Sequence, residues 1–385
     1  MKGAYNIIMM IGCYFMVNLV FLPALTNVEL YFQIDGHTAR SAVTYMQFGA
    51  VFSCVVAAFF ADYIGKKRFL IVGLSLALLG TLVCATTSSF MIFNVGRFLQ
   101  GMGAATGFMM GFAFAVDLYE PEKTLKIIAL NGVITSLVSV FTPYIGGKLT
   151  TIWGWRATFI FMIPFFILTI FNSYKNIPST TKNENTSLNF LKSLYEIKQL
   201  FSSRLYIGYA VLNGMLLGAV VYCLNLFPFF YKKTFGLQED EVGIIIGVTI
   251  WFSFGLMSLL SVYLYELFGI DRTIYLGFSI CLSVSLVLGG IFIFTPMDLY
   301  IFISLIFMFC AGFGLIYSGS ISQSMSVYKD LTTKASALRT VMLSFFPLLG
   351  SIAAQYSPDD NVYYLAGGLL TGVVFSLFFF VRRNS

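Results

Sequence analysis

The chain has a single histidine, His37, in 385 residues. Hydrolytic constellations of the Ser/His/Asp or Cys/His type therefore have almost nothing to draw on, and no two carboxylates are spaced for acid–base work. No Gly-x-x-x-x-Gly-Lys-Ser/Thr phosphate loop occurs, which excludes nucleotide hydrolysis as an energy source. Charge is scarce as well. Asp, Glu, Lys and Arg make up 10% of the chain, where soluble proteins carry about a quarter. The six cysteines, Cys13, Cys54, Cys84, Cys223, Cys281 and Cys310, fall within apolar runs, so a disulfide framework is not expected and they read as small packing residues. No enzyme, metal or cofactor is expected.

What the sequence does have is apolar surface, 58% of residues with mean hydropathy +0.86, so lipid is its solvent. A span needs about 20 apolar residues. The charged breaks leave runs at 5–28, 42–61, 69–89, 91–116, 125–147, 157–174, 204–230, 242–265, 273–295, 300–325, 336–356 and 362–381. The expected fold is an all-α membrane protein of twelve transmembrane helices in two six-helix halves. The halves are 1–174 and 204–385, with a polar cytoplasmic linker at 175–203. Within that linker Leu188, Leu191, Leu194 and Ile197 keep helical spacing, which fits either a short amphipathic helix on the membrane face or a disordered connection. The first run follows Lys2, is longer than the apolar region of a signal peptide, and is expected to be retained.

Loop charges set the orientation. With the N-terminus inside, the outer loops hold only Arg40, Lys148, Arg156, Lys232 and Lys233, Arg97 lies within the fourth span, and the remaining Lys and Arg fall on the inner side. Both termini are expected in the cytoplasm. The net charge of +6 then faces anionic headgroups and calls for no nucleic-acid partner. Trp153 and Trp155 are expected at a headgroup boundary.

One short pattern occurs twice, 204 positions apart. Asp62-Tyr63-Ile64-Gly65-Lys66-Lys67-Arg68 runs into Gly73 and Ser75; Glu266-Leu267-Phe268-Gly269-Ile270-Asp271-Arg272 runs into Gly277 and Ser279. Each copy is a charged break between apolar runs, the mark of a duplicated helical bundle. An acid at a helix end can face a neighbouring helix N-terminus, and Gly65 permits a sharp turn.

The first copy, with Ala58 in place of a leading glycine, resembles the loop signature of the major facilitator superfamily. Gly96-Arg97-Phe98-Leu99-Gln100-Gly101 is similar to that family's Arg-x-x-Gln-Gly motif, and Asp117-Leu118-Tyr119 ends the span as the family's Asp-Leu-Tyr does. Thr142-Pro143-Tyr144-Ile145-Gly146-Gly147 followed by Gly154-Trp155-Arg156 resembles its antiporter motif, with Val138 and Thr142 at two glycine positions. Over residues 15–165 the chain looks closest to bacterial drug:proton antiporters of the Bcr/CflA type. The resemblance implies a cytoplasmic gate at Asp62, Gly65, Lys66, Lys67, Arg68, Glu266, Gly269 and Arg272. It also implies a packing motif at Pro143, Gly146 and Gly147, and a place in the bacterial inner membrane.

Where those relatives carry a carboxylate in the first span, this chain has Leu19, and no Asp or Glu lies near the middle of another span. A buried arginine in hydrocarbon costs at least ~2.5 kcal/mol, so Arg97 is expected to be paired, wet or functional, or else to reach outward to phosphate. Asn18, Gln47, Gln100, Asn131 and Asn213, with Tyr45, Asn225 and Gln323, either line a pathway or bond helices together. Asp117 and Glu29 are the alternative proton sites.

The expected function is a secondary carrier, acting as a monomer on a small-molecule substrate, with or without protons. It either exports drug-like amphipathic compounds or moves an endogenous anion, such as a carboxylate siderophore, against Arg97. A transport-dead scaffold is the third reading.

Overall fold

The computed structural model describes residues 2–178, 202–294, 297–326, 332–358 and 361–382. The chain divides into two units, Met1–Leu194 and Tyr195–Ser385. The linker segment expected to be amphipathic lies outside the described residues.

In the first unit, α1 (Lys2–Leu19) stops in mid-membrane, a 3-10 turn follows at Leu22–Ala24, and α2 (Leu25–Phe32) resumes the path. Pro23 explains the interruption, because it has no N–H to donate to the carbonyl of Leu19. The first apolar run, expected as one span over 5–28, thus forms a single path over Tyr5–Phe32 made of two helices joined at Pro23. Then come α3 (Gly36–Ile64), α4 (Lys66–Thr86), α5 (Phe90–Leu118), α6 (Pro121–Trp153) and α7 (Arg156–Asn176). Asp35 caps α3 by accepting from the Thr38 amide at 2.8 Å, and its hydrogen bonds with Thr38 hold its carboxyl below the usual range.

The second unit starts with α8 (Arg204–Phe235), then α9 (Glu239–Ile246), a π-helical turn (Gly247–Phe252) and α10 (Ser253–Phe268), which together form one path. It continues with α11 (Ile270–Phe294), α12 (Leu299–Ser326), α13 (Thr332–Gln355) and α14 (Val362–Arg382). Among the described residues ten helical paths are long and apolar enough to cross a bilayer. The helices α3 and α6, with 29 and 33 residues, are long enough but not among these ten.

Close packing rests on missing side chains. A Cβ on Gly103 would lie 2.1 Å from the Gly73 carbonyl oxygen, and one on Gly80 2.4 Å from that of Gly96. The helices α4 and α5 therefore touch backbone to backbone at two levels, as small residues allow between membrane helices. In the second unit, a Cβ on Gly277 would lie 2.7 Å from the Gly312 oxygen. The cysteines join these crossings as buried packing residues: Cys84 Sγ is 3.5 Å from the Phe93 carbonyl oxygen and Cys281 Sγ is 3.4 Å from that of Phe309.

One base and one tryptophan differ from expectation. Arg40, counted among loop charges, sits inside α3 and is 2% exposed. Trp153 is exposed, as a headgroup residue should be. Trp155 is buried instead, 5.4 Å from Phe93 and 5.7 Å from Phe32 in an aromatic cluster where α2, α5 and α7 meet. Sequence proximity to a span end does not reveal which side of the helix the indole leaves from.

Candidate functional site

The repeat loop has the same backbone in both units. Gly65 and Gly269 close one helix and open the next with φ of 94° and 83°, where a Cβ is strained. In the first unit Lys66 Nζ bonds the Asp117 carboxylate at 2.6 Å and Lys67 Nζ bonds the Tyr174 carbonyl at 2.8 Å. The start of α4 is thereby tied to the ends of α5 and α7. Asp117 is thus the anion of this tie, at the helix end. Arg68, Glu266 and Arg272 are exposed, and the side chain of Asp62 lies outside the described residues.

Arg97 lies at the centre of the first unit, with none of its surface exposed. Its Nε donates to the Ala42 carbonyl of α3 at 3.2 Å and its Nη1 to the Gln100 side chain. Gln100 passes the connection on, donating to Thr81 Oγ1 of α4 at 2.9 Å. The guanidinium lies 4.6 Å from the Phe21 ring, at the break in the first path, and 5.9 Å from Phe159 of α7. No carboxylate takes part among the described residues. Aromatic faces, each worth roughly 0.5–2 kcal/mol to a cation, stand in for a counter-ion. The arginine does not reach outward to phosphate.

Leu19 ends α1 and is 2% exposed, so the place of the relatives' carboxylate is packed with hydrocarbon. One residue earlier, Asn18 leaves the core half-exposed, where Gln47 Nε2 of α3 donates to its Oδ1 at 3.2 Å. Asn18 Nδ2 donates in turn to the Tyr14 carbonyl oxygen at 2.8 Å, and the half-buried Tyr14 ring is 4.9 Å from Phe108, which is 5.2 Å from Phe112. The side chain of Asn131 lies outside the described residues. In the second unit Asn213 is buried and accepts from Ser320 Oγ at 2.9 Å, which makes it a bond between α8 and α12. A ring cluster also forms there, with Phe254 of α10 5.1 Å from both Phe313 and Tyr317 of α12. It flanks the π-helical turn, a feature that recurs at functional sites.

Pro143 and Gly146 bring α6 onto the break in the first path; a Cβ on Gly146 would be 1.9 Å from the Val20 carbonyl oxygen. Gly147 follows in the same buried stretch. Sequence reading missed the matching pair in the second unit. Pro347 and Gly350 stand 204 positions after Pro143 and Gly146, and a Cβ on Gly350 would be 2.2 Å from the Gly218 oxygen of α8. The repeat interval itself was the signal that pointed there.

Two helical units with matching loops, and with a proline and a glycine at matching places in α6 and α13, have the layout of a duplicated membrane carrier. Residues 7–351 match the model of the Major Facilitator Superfamily, and the chain belongs to that family. It is 32% identical over 120 residues to Multidrug resistance protein D of Escherichia coli strain K12, covering 31% of this chain and 30% of that protein. It is 24% identical over 289 residues to Multidrug resistance protein MdtL of Citrobacter koseri, covering 72% and 69%. The chain thus spans under a third of the first relative and about two thirds of the second. A crystal structure of a D-xylose–proton symporter superposes with TM-score 0.73 at 14% identity, over 98% of this chain and 96% of the other, and shows the shared fold.

Proposed function

We propose that this protein exports amphipathic, drug-like molecules across the bacterial inner membrane by alternating access, with both termini in the cytoplasm. The reading rests on one observation above others: the half-exposed amide of Asn18, bonded to Gln47 of α3, stands one turn from Tyr14, whose ring packs on Phe108 of α5, so amides and aromatic rings share one stretch of the first path. Rings offer stacking faces to planar ligands and the amides offer hydrogen bonds. The multidrug names of the relatives point the same way. Arg97 lends no support to a carrier of anions, because its charge is enclosed by Phe21, Phe159, Ala42 and Gln100.

The repeat loop, held by Lys66 to Asp117, acts in this reading as the cytoplasmic gate. The test is flux of a cationic dye in proteoliposomes, with and without a pH gradient. Dye movement that the purified protein does not accelerate above empty vesicles would remove the proposal.

A further inference from the structure

The second unit contains a cavity of about 650 Å³ between α8, α13 and α14, within the usual size range of small-molecule sites. It exists because α13 and α14 each pack closely on α8 but hardly touch one another among the described residues. The first unit differs, since α6 and α7 do pack together. On the α8 side, Gly350 seats α13 against Gly218, and Gly368 of α14 accepts the Tyr222 ring, 2.3 Å from where a Cβ would stand. Gly367 faces open space, with nothing within 4 Å of its missing Cβ.

We infer that this cleft holds one acyl chain of a membrane phospholipid. Its walls are helices long and apolar enough to cross a bilayer, and Leu349 and Phe375 of its lining are exposed. Along α14 the lining runs from Tyr363 to Phe375, about 18 Å at 1.5 Å per residue. That is close to the ~15 Å of one leaflet, half of a ~30 Å hydrocarbon core. The cleft begins at the helix ends, where Tyr356, Tyr363 and Tyr364 are exposed, as tyrosines are at a headgroup boundary. Polar atoms lie there, with Tyr222 Oη 2.8 Å from Ser357 Oγ and 3.1 Å from the Tyr364 carbonyl oxygen. Below them the lining has one hydroxyl, Thr371, which donates to the Gly368 carbonyl oxygen at 2.9 Å, and is otherwise apolar, with Leu349, Phe346 and Phe375 as walls. A tapering alkyl chain anchored by a headgroup at the boundary matches this distribution. A second copy of the chain would need a protruding side chain of its own to fill it.

The experiment compares full-length wild type with Gly367→Leu, which fills the cleft, and Gly290→Leu, which adds the same side chain at another open position, on α11. Each is reconstituted with a phospholipid bearing a photoreactive acyl chain, irradiated, purified and read by native mass spectrometry and peptide mapping. Wild type and Gly290→Leu are expected to carry one covalent lipid on α13 or α14, and Gly367→Leu at least tenfold less. Equal labelling of all three, or labelling only elsewhere, overturns the inference. Loss of label on adding rhodamine 6G assigns the cleft to lipophilic substrate instead, and a change of oligomeric state in Gly367→Leu assigns it to a second copy.

Discussion

Arg97 shows how a membrane bundle can bury a charge without an acid. Three geometric demands meet on one planar group: a bond to Ala42, a bond to Gln100 and a stack on Phe21. Lysine keeps the charge but has neither the fork nor the plane. Arg97→Lys is therefore expected to fail nearly as badly as Arg97→Ala, each losing on the order of 1–3 kcal/mol per unpaired buried group. Detergent melting and dye flux measured together will check this, and a lysine variant with wild-type melting would show that charge alone suffices. Leu19 poses the converse case. A carboxylate placed in that dry position would be an ionisable group inside the first path, which is a default proton site. Leu19→Asp is thus expected to make flux depend more steeply on the pH gradient, read as the ratio of rates with and without one. The sequence singled out both residues, Arg97 by its isolation and Leu19 by its departure from a pattern. It could not tell which partners surround Arg97, because Ala42, Phe21 and Phe159 offer a carbonyl and two rings, groups that nearly every span possesses.

At the scale of helices, span positions were legible because hydrocarbon demands long apolar runs, and the observed helices begin and end within a few residues of those expected. What stayed hidden was how the helices deviate. The break after α1 has a visible cause in Pro23, yet Pro143, Pro164, Pro228 and Pro347 all sit inside continuous helices. Neighbouring packing decides between the two outcomes. The π-helical turn at Gly247–Phe252 has no sequence signature at all. Helix contacts, by contrast, are written in glycine. Gly80→Ala would put a methyl group 2.4 Å from the Gly96 oxygen, and backbone cannot yield as a side chain tip can. A cost of about 1–3 kcal/mol follows from overpacking. Monodisperse yield in detergent is expected to fall for Gly80→Ala and to hold for Gly290→Ala, whose added carbon meets nothing within 4 Å.

For the molecule as a whole, the loop charges give a topology that can be tested directly. Reporter fusions at Gly236 and at the C-terminus are expected to lie on opposite sides of the membrane, the first outside. Matching signals from both would refute the twelve-span arrangement. The duplication read from the loops reaches deeper than the sequence comparison suggested, into Pro143 with Pro347 and Gly146 with Gly350. It is also incomplete. Gly73 and Ala77 in the first unit correspond to Gly277 and Cys281 at the 204-residue interval, whereas the glycine that faces them is Gly103 in the first unit and Gly312, 209 positions later, in the second; the further crossing of Gly80 and Gly96 has no glycine pair at that interval. The positions 204 residues after Gly80 and Cys84 are Val284 and Leu288. Two bodies clamped at two points move as a single bar, whereas two bodies touching at one point can swivel about it. The pair α4 and α5 is of the first kind, and α11 and α12 of the second. Among the described residues, α4 and α5 are thus the pair expected to resist twisting, and α11 and α12 the pair expected to yield to it.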